Sequence, residues 1–322
     1  MVKAMPNFTN AHNLSAPLFE ALTFDTYSKG KADISVTELL KSPRQRLLAK
    51  RHDKEITVDA SENLWLLMGR AVHNVLRESA KRVEKKFDGM AEERLFTTVH
   101  GPLGPWTLSG EFDLLYNKDG VLTLTDFKVL SVFSYIFEKE NSGVKSDHET
   151  QVNIYRWLLA AHGFDVQALE IAMIFRDWKR TEAEKAVLSG KTDYPGSPVL
   201  QVPVKIWPLT EVEHFVLNRI ALHQKAEPLE DDALPECTSD ERWATSDQWA
   251  VYSGTNKRAF RVFTNEQEAG ACAEEISKKV RAHIEFRKGK SRKCTYYCVA
   301  KLHCQQFKKE LENADTREAA AI

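Results

Sequence analysis

The 322-residue sequence predicts an α/β fold in which a mixed central β-sheet is flanked by helices. Alternating or apolar runs rich in β-formers predict strands over 110–116, 121–125, 168–175 and about 199–206. Apolar residues at helical spacing predict a helix over 64–76 and a second over 148–162, which Gly163 ends. A mixed sheet covered by helices follows from these segments.

We expect four segments along the chain. Residues 1–31 are a partly ordered leader, 32–226 are the core, 227–315 are a C-terminal segment, and 316–322 are a frayed tail. The boundary near residue 227 rests on an acidic, proline-marked stretch that begins there. Within the C-terminal segment, two short β-rich runs between residues 249 and 263 flank a Ser-Gly-Thr-Asn turn and predict a hairpin.

Two of the predicted core strands flank an Asn-Lys-Asp-Gly turn signal and therefore predict another β-hairpin. If Tyr116 pairs with Val121, antiparallel register places Asp113, Asp126 and Lys128 on one face of the sheet. The two aspartates then become diagonal neighbours whose backbones are roughly 7 Å apart. Both carboxylates can reach one divalent ion from these positions, and the lysine points toward the same place.

Two carboxylates beside a lysine are the groups that metal-dependent phosphodiester hydrolysis requires. A hard cation such as Mg²⁺ takes oxygen ligands and keeps open water positions, so it can polarise a phosphate oxygen and lower the pKa of an attacking water. Lys128 would orient that water or stabilise charge on the reacting phosphate. The alternative interpretation of these residues is an edge hairpin with solvated charges.

Four short motifs follow one another along the chain. They are Gly69-x-x-x-His73, Gly110-x-x-Asp113, Asp126-Phe127-Lys128 and Gln151-x-x-x-Tyr155. In this order they resemble the RecB-type branch of the PD-(D/E)xK nucleases, and most nearly the phage-encoded exonucleases of that branch. No proline precedes the first aspartate, a departure that this branch tolerates. The resemblance extends from about residue 34 to about residue 307 and implies a restriction-endonuclease-like core.

The resemblance also implies roles for individual residues. His73, Asp113, Asp126 and the main-chain carbonyl of Phe127 would hold Mg²⁺ or Mn²⁺, and Lys128 would be the catalytic lysine. A nitrogen ligand favours acceptance of Mn²⁺ beside Mg²⁺. By its pattern alone, however, a histidine on an apolar helix is more often a core residue.

Gln151 and Tyr155 share one stripe of a predicted helix. By resemblance, this helix packs beside the catalytic strand, and its glutamine and tyrosine steady the DNA backbone or the catalytic groups. The alternative is a core helix whose tyrosine is only half-buried.

A second motif lies near the C-terminus, where Cys294, Cys298 and Cys304 form C-x3-C-x5-C and Cys237 is a distant fourth cysteine. Four thiolates suit zinc or an iron-sulfur cluster. The resemblance implies a 4Fe-4S cluster, although related enzymes take their first cysteine from an N-terminal position, which has none here, so Cys237 must substitute. Zinc and unligated thiols are the alternatives. Cys272 lies in an apparent helix and is interpreted as a buried small hydrophobe.

Composition adds weaker constraints. The odd count of five cysteines and the absence of a signal-peptide pattern favour a reducing cytoplasm, which would be the host cytoplasm for a phage-encoded protein. No stretch is apolar enough for a membrane span. The formal charge of −1 provides no global basic surface, so contacts to DNA must be local. The candidates are Arg44, Arg287, Lys288, Lys290 and Arg292, and the alternative for each is a solvated helix face.

The sequence therefore predicts a metal-dependent DNA exonuclease that acts on DNA ends in phage-type recombination or DNA repair, beside a single-strand annealing protein. One alternative is a structure-specific or restriction-like endonuclease with the same catalytic residues. The second is a non-catalytic DNA-binding module held together by its metal cluster. The sequence predicts no particular oligomeric state.

Overall fold

The computed structural model describes residues 6–24, 28–83, 89–139, 144–191 and 193–319. The chain forms two compact units, of which the first comprises residues 1–41 and 53–229 and the second comprises residues 42–52 and 230–322. The sequence placed a boundary near residue 227 but did not predict that a short N-terminal segment joins the second unit.

The first unit holds most of the regular structure. Its strands are β1 (Asn7–Thr9), β2 (Ile34–Ser35), β3 (Thr57–Asp59), β4 (Gly89–Gly101), β5 (Gly104–Lys118), β6 (Val121–Leu130), β7 (Ala168–Phe175) and β8 (Val199–Pro203). The helices of the chain up to residue 226 are α1 (Ala16–Thr23), α2 (Val36–Leu39), α3 (Pro43–Arg51), α4 (Leu64–Val83), α5 (Val132–Lys139), α6 (Ser146–Ala161), α7 (Arg180–Leu188) and α8 (Leu209–Ala226), and α3 alone of these belongs to the second unit.

The main sheet of the first unit has six strands in the order β2-β5-β6-β7-β8, with β4 also pairing with β5. Strands β6 and β7 run parallel, whereas β5 and β6 form an antiparallel hairpin and β8 is antiparallel to β7. Helices α4, α6 and α8 pack against strands of this sheet. The predicted α/β fold with a mixed central sheet flanked by helices is thus confirmed.

The register of the β5–β6 hairpin differs from the prediction by two residues. Lys118, rather than Tyr116, pairs with Val121. The physical reason is a two-residue turn at Asp119 and Gly120, whose φ angles of 54° and 86° are both positive, as a tight hairpin turn requires. The ladder ends at the pair Leu114–Thr125, and one step further the register brings the two aspartates directly opposite each other instead of diagonally.

The core of the first unit lies between the sheet and its helices. Phe112, Leu124, Ile154 and Leu158 are almost completely buried there. A buried polar contact fixes α6, because Asn153 accepts a hydrogen bond from the Trp207 N–H at 2.9 Å and donates to the carbonyl of Lys205 at 3.0 Å. Buried amides of this kind require such partners, so α6 is held in one position beside the sheet.

The second unit contains the remaining elements. These are α3, α9 (Ser239–Arg242), β9 (Gln248–Ser253), β10 (Arg261–Phe263), α10 (Glu266–Ser277), β11 (Ala282–Arg287), α11 (Arg292–Tyr296) and α12 (Gln305–Ala319). The predicted hairpin forms between β9 and β10. Strand β11 pairs with the other edge of β9. This strand was not predicted from the sequence, because the segment was assigned only a candidate DNA contact at Arg287.

The two ends of the chain contain more regular structure than the sequence predicted. In the expected leader, β1 and α1 form within residues 6–24, and β1 pairs with β3. In the expected tail, α12 continues to Ala319. Among the residues that the structure describes, no helix is both long and apolar enough to span a membrane.

Candidate active site

Strand β6 carries two of the predicted site residues. Asp126 and Lys128 are two residues apart on the strand, and their side chains therefore share a face of the sheet. The Asp126 side chain is nearly completely buried, and the Lys128 ammonium lies 2.6 Å from its Oδ2. A buried carboxylate thus faces a lysine that is itself only partly exposed.

Strand β5 and helix α4 supply the other side of the site. Asp113 Oδ2 accepts a hydrogen bond of 2.7 Å from the Phe127 N–H, which connects the two strands beyond their regular ladder. Asp113 Oδ1 lies 3.3 Å from His73 Nδ1 on α4. The structure therefore places His73, Asp113, Asp126 and Lys128 in one group, although they come from three separate elements.

The charges in this group affect one another. Burial raises the pKa of Asp126 to about 6, and Asp113 adds to the rise while Lys128 opposes it. The hydrogen bond with Asp113 raises the pKa of His73, against the effect of burial. Burial therefore favours the protonated form of Asp126, and the hydrogen bond with Asp113 favours the protonated form of His73.

The donor set matches a hard divalent cation, since it consists of two carboxylates and one imidazole in a partly buried pocket. In the described part of the chain, ligand atoms of His73, Asp113 and Asp126 do not all lie within 4.8 Å of one another. One Asp113 oxygen accepts from the Phe127 amide, and one Asp126 oxygen faces Lys128. The second oxygen of Asp113 faces His73, so binding of one ion by both carboxylates and the imidazole would require these side chains to reorient.

Helix α6 lies beside this group and contains the predicted Gln151 and Tyr155. Gln151 Nε2 donates a 2.7 Å hydrogen bond to the Tyr155 hydroxyl, and Tyr155 is only 6% exposed. The tyrosine ring packs over β5 at Gly110, where a Cβ atom would lie 3.0 Å from the ring and 2.6 Å from a methyl group of Leu158. Gly110 therefore allows the close approach of α6 to the sheet.

Gly110→Ala should destabilise the protein by about 1–3 kcal/mol, because the added methyl overpacks the interface between β5 and α6. Gly69→Ala is the matched control. Gly69 belongs to another predicted motif, yet a Cβ there meets nothing within 4 Å, and alanine in mid-helix should gain up to about 1 kcal/mol. Denaturant unfolding of both variants measures the difference, and equal stabilities would contradict the packing role of Gly110.

His148 is a neighbour of the site that the sequence did not single out. It lies in the first turn of α6, and its Nδ1 is buried without a hydrogen-bond partner in the structure. Burial, together with the charges of Lys128 and Lys145, lowers its pKa to about 3. The imidazole is therefore neutral, and this buried Nδ1 lies near Lys128 without a hydrogen-bond partner among the described residues. Its position three residues before Gln151 on one helix face is the signal that could have identified it.

The four predicted cluster cysteines lie together in the second unit. Cys237, Cys294, Cys298 and Cys304 line one small cavity, although Cys237 is far from the others in sequence. Burial raises the pKa of Cys294 to about 12, and the neighbouring cysteines add to the rise. The four sulfurs are therefore close enough to affect one another's pKa, and a metal centre at this position would have to displace their protons.

Local contacts hold Cys237 in this cavity. The Gln306 side chain accepts from the Cys237 N–H and donates to the Cys237 carbonyl, both at 2.9 Å. Ser42 Oγ lies 3.0 Å from the Cys237 sulfur. Ser42 belongs to the N-terminal stretch in which the resemblance implied a first cysteine, so this stretch does reach the cavity. Cys272 lies elsewhere, half-buried on α10.

The predicted DNA-contacting residues have different environments. Arg44 is a correction, because its side chain is buried and bonds the carbonyls of Leu234 and Pro235, which leaves it unavailable on the surface. Arg287 pairs with Glu285 at 2.9 Å. The exposed residues of the cluster are Arg287, Lys290 and Arg292, with Lys288 half-buried between them.

A mixed sheet whose central hairpin presents two aspartates and a lysine defines a PD-(D/E)xK-type nuclease fold and site. Comparison with protein families agrees. Residues 26–305 match the model of the PD-(D/E)XK nuclease superfamily, so the chain belongs to this superfamily. No curated protein is significantly similar to it in sequence.

Several solved structures resemble the chain distantly. SSO0001 is 13% identical, with a TM-score of 0.40, over 64% of this chain and 82% of that protein. The alkaline exonuclease LHK-Exo from Laribacter hongkongensis is 11% identical, with a TM-score of 0.36, over 59% of this chain and 87% of its own. The structure of LHK-Exo in complex with dAMP is also 11% identical, with a TM-score of 0.28, and the match covers 59% of this chain and 91% of that protein.

Proposed function

We propose that the protein is a metal-dependent DNA exonuclease that hydrolyses phosphodiester bonds from DNA ends. The observation that carries the proposal is the buried Asp126 carboxylate 2.6 Å from Lys128, with Asp113 and His73 beside it. Superfamily membership supports nuclease chemistry at this site. The resemblance of the motifs to phage-type enzymes supports end-dependent action, in recombination or repair and together with a single-strand annealing protein.

Asp113, Asp126, His73 and the Phe127 carbonyl would hold the cation, Mg²⁺ or Mn²⁺, which when bound polarises the phosphate and lowers the pKa of the attacking water. Lys128 carries a positive charge into a partly buried pocket, where it stabilises negative charge that develops on the phosphate oxygens. Water attacks phosphorus in line and gives up a proton, the bond to the leaving oxygen breaks, and the leaving oxygen takes up a proton. Tyr155, to which Gln151 donates a hydrogen bond, packs against β5 and would hold α6 in place beside the catalytic strands.

Cation binding should depend on pH near 6. The pKa of Asp126 is raised, so the folded protein without metal binds a proton there that the unfolded chain does not, and it loses stability as pH rises from about 4 to about 6. Above this range the carboxylate is free to bind metal. We expect Mn²⁺ to raise the melting temperature above pH 6 and to have little effect well below it. Thermal unfolding measures this shift.

Asp126→Asn is the control for that experiment. The variant keeps the size of the side chain but has no titrating carboxylate, so its melting temperature should respond weakly to Mn²⁺ at every pH. A Mn²⁺ effect that is as large in the variant as in the wild type would show that the ion binds elsewhere.

We further propose that the four cavity cysteines hold a 4Fe-4S cluster. The single cavity that the four cysteines line supports a shared metal centre. The resemblance of the cysteine motif to the clusters of related nucleases supports iron-sulfur over zinc. The cluster would join Cys237 to Cys294, Cys298 and Cys304 and stabilise the second unit.

Parallel digestion of linear and covalently closed circular DNA with Mg²⁺ or Mn²⁺ tests the proposed activity, with Asp126→Asn as the inactive control. Loss of linear DNA alone, abolished in the variant, is the expected result. Cutting of both forms would favour the endonuclease, which would use the same residues. Binding of DNA without metal-dependent cutting of either form would favour the non-catalytic module.

A further inference from the structure

An exposed aromatic surface lies at the carboxyl end of strands β6 and β7. Phe133 and Phe137 project from α5, where they are 66% and 60% exposed and their rings stack with centroids 6.5 Å apart. Trp65, at the start of α4, is 51% exposed, and the Arg176 guanidinium lies 4.0 Å from the centroid of its ring. We call these four side chains the aromatic surface.

Backbone contacts place α5, which carries Phe133 and Phe137, and Arg176, which contacts Trp65, at the same edge of the sheet. The Arg176 N–H donates to the Leu130 carbonyl at 3.0 Å, immediately after the paired ends of β6 and β7. Asp177 accepts from the Val132 N–H at 2.7 Å and so caps α5. Ligands of α/β sheets commonly bind beyond the carboxyl ends of parallel strands.

The inner face of α5 is already packed. Tyr135 meets the Phe175 ring edge-on, with centroids 5.3 Å apart. Because Phe133 and Phe137 are one helical turn apart, they share a different face, which points outward. Their exposure therefore does not result from a loosely attached helix, and it costs solubility without contributing to the core.

The aromatic surface is close to the catalytic strand. Phe133 follows Lys128 by five residues, so their Cα atoms are at most about 18 Å apart. Bases along one DNA strand are spaced by roughly 3.4 Å, so a strand with its phosphate at Lys128 reaches the aromatic surface within about five nucleotides. Flat rings stack on bases of any sequence, and the guanidinium adds positive charge for the backbone.

We propose that the aromatic surface is a stacking platform for unpaired bases, so that single-stranded DNA is the form of the substrate held beside the catalytic site. This inference rests on the proposed nuclease function and deepens it by naming the substrate class. A protein partner or a second copy of the chain would use the apolar rings but would not depend on their ability to stack on bases.

The test is the affinity of a fluorescent oligothymidylate and of a blunt duplex of equal length, measured with EDTA so that no cleavage occurs. Phe133→Ser combined with Phe137→Ser should weaken single-strand binding roughly tenfold or more, because each lost base stack typically contributes about that factor. Duplex affinity should change less than twofold. Both residues are exposed, so the fold should persist, and Phe133→Tyr with Phe137→Tyr should retain the affinity.

Val187→Ser combined with Leu188→Ser is the matched control, since it removes two apolar side chains that are 75% and 87% exposed on α7. Single-strand affinity should not change in this variant. Unchanged single-strand affinity in the double phenylalanine variant, or equal losses for single strand and duplex, would overturn the proposal.

Hydrolysis of linear DNA by the wild type is assayed separately. Ring-dependent binding without hydrolysis would contradict the proposed function alone. Hydrolysis with an unaltered single-strand affinity in the serine variant would contradict the stacking platform alone.

Discussion

Lys128→Ala should reduce the rate of DNA hydrolysis by about 10²–10³-fold, the usual loss when one preorganised group that stabilises transition-state charge is removed. The ammonium lies 2.6 Å from Asp126 in a partly buried pocket, where a charge acts more strongly than in water. Substrate affinity should change much less than the turnover rate. Steady-state hydrolysis of a linear DNA substrate, with kcat and KM determined separately, measures both.

Lys118→Ala is the matched control, because Lys118 lies on the same hairpin but pairs with Glu170 away from the catalytic group. Its rate should stay within about twofold of the wild type, as expected for a surface ion pair. The pH profile gives a second readout. Lys128 lowers the pKa of Asp126. Removal of the lysine should therefore shift the fall in the remaining activity at acidic pH to higher pH. Equal activities of the two variants would exclude Lys128 from catalysis.

The proposed metal centre predicts that Cys237→Ser removes most of the metal from the second unit and destabilises the protein by about 3 kcal/mol, comparable with the loss of a cross-link that closes a long loop. The expected measurements are the iron and zinc content, the visible absorbance of freshly purified protein, and the thermal unfolding temperature. Bound iron with a broad absorbance near 400 nm identifies the iron-sulfur cluster, whereas colourless protein with zinc identifies the alternative.

Two further variants sharpen this experiment. Cys272→Ser should retain full metal content, because Cys272 does not line the cavity. Ser42→Cys introduced into Cys237→Ser should restore part of the metal, since the Ser42 hydroxyl lies 3.0 Å from the Cys237 sulfur. Full metal content in Cys237→Ser alone would show that three cysteines suffice and that Cys237 is not a ligand.

The composition of the candidate site could be predicted largely from sequence. Period-two alternation requires Asp126 and Lys128 to share a face whatever the rest of the fold does. The face of Asp113 was predicted even though the register was wrong, because a shift of two residues preserves which face each side chain occupies. The diagonal placement of Asp113 and Asp126 was wrong, because their alignment depends on the two-residue turn formed by the positive φ angles of Asp119 and Gly120.

Other features needed the tertiary structure because they depend on contacts between distant segments. Arg44 has the pattern of a surface cation, yet carbonyl groups about 190 residues away bury it. His148 was not identified as a site residue from the sequence, because only the packing of α6 buries its ring near Lys128. The aromatic surface combines residues of α4, α5 and the end of β7, which no local pattern brings together.

The sequence by itself determined the mixed α/β sheet, the carboxylate and lysine face of the hairpin, and the cysteine motif of the C-terminal segment. These follow from local periodicity, turn chemistry and short spacings, which act within a few residues. The tertiary structure alone decided which side chains are buried, how the charges shift one another's pKa, and that Cys237 and Ser42 reach the same cavity. Burial and electrostatics depend on everything that surrounds a group in space, and that environment is assembled only when distant segments pack.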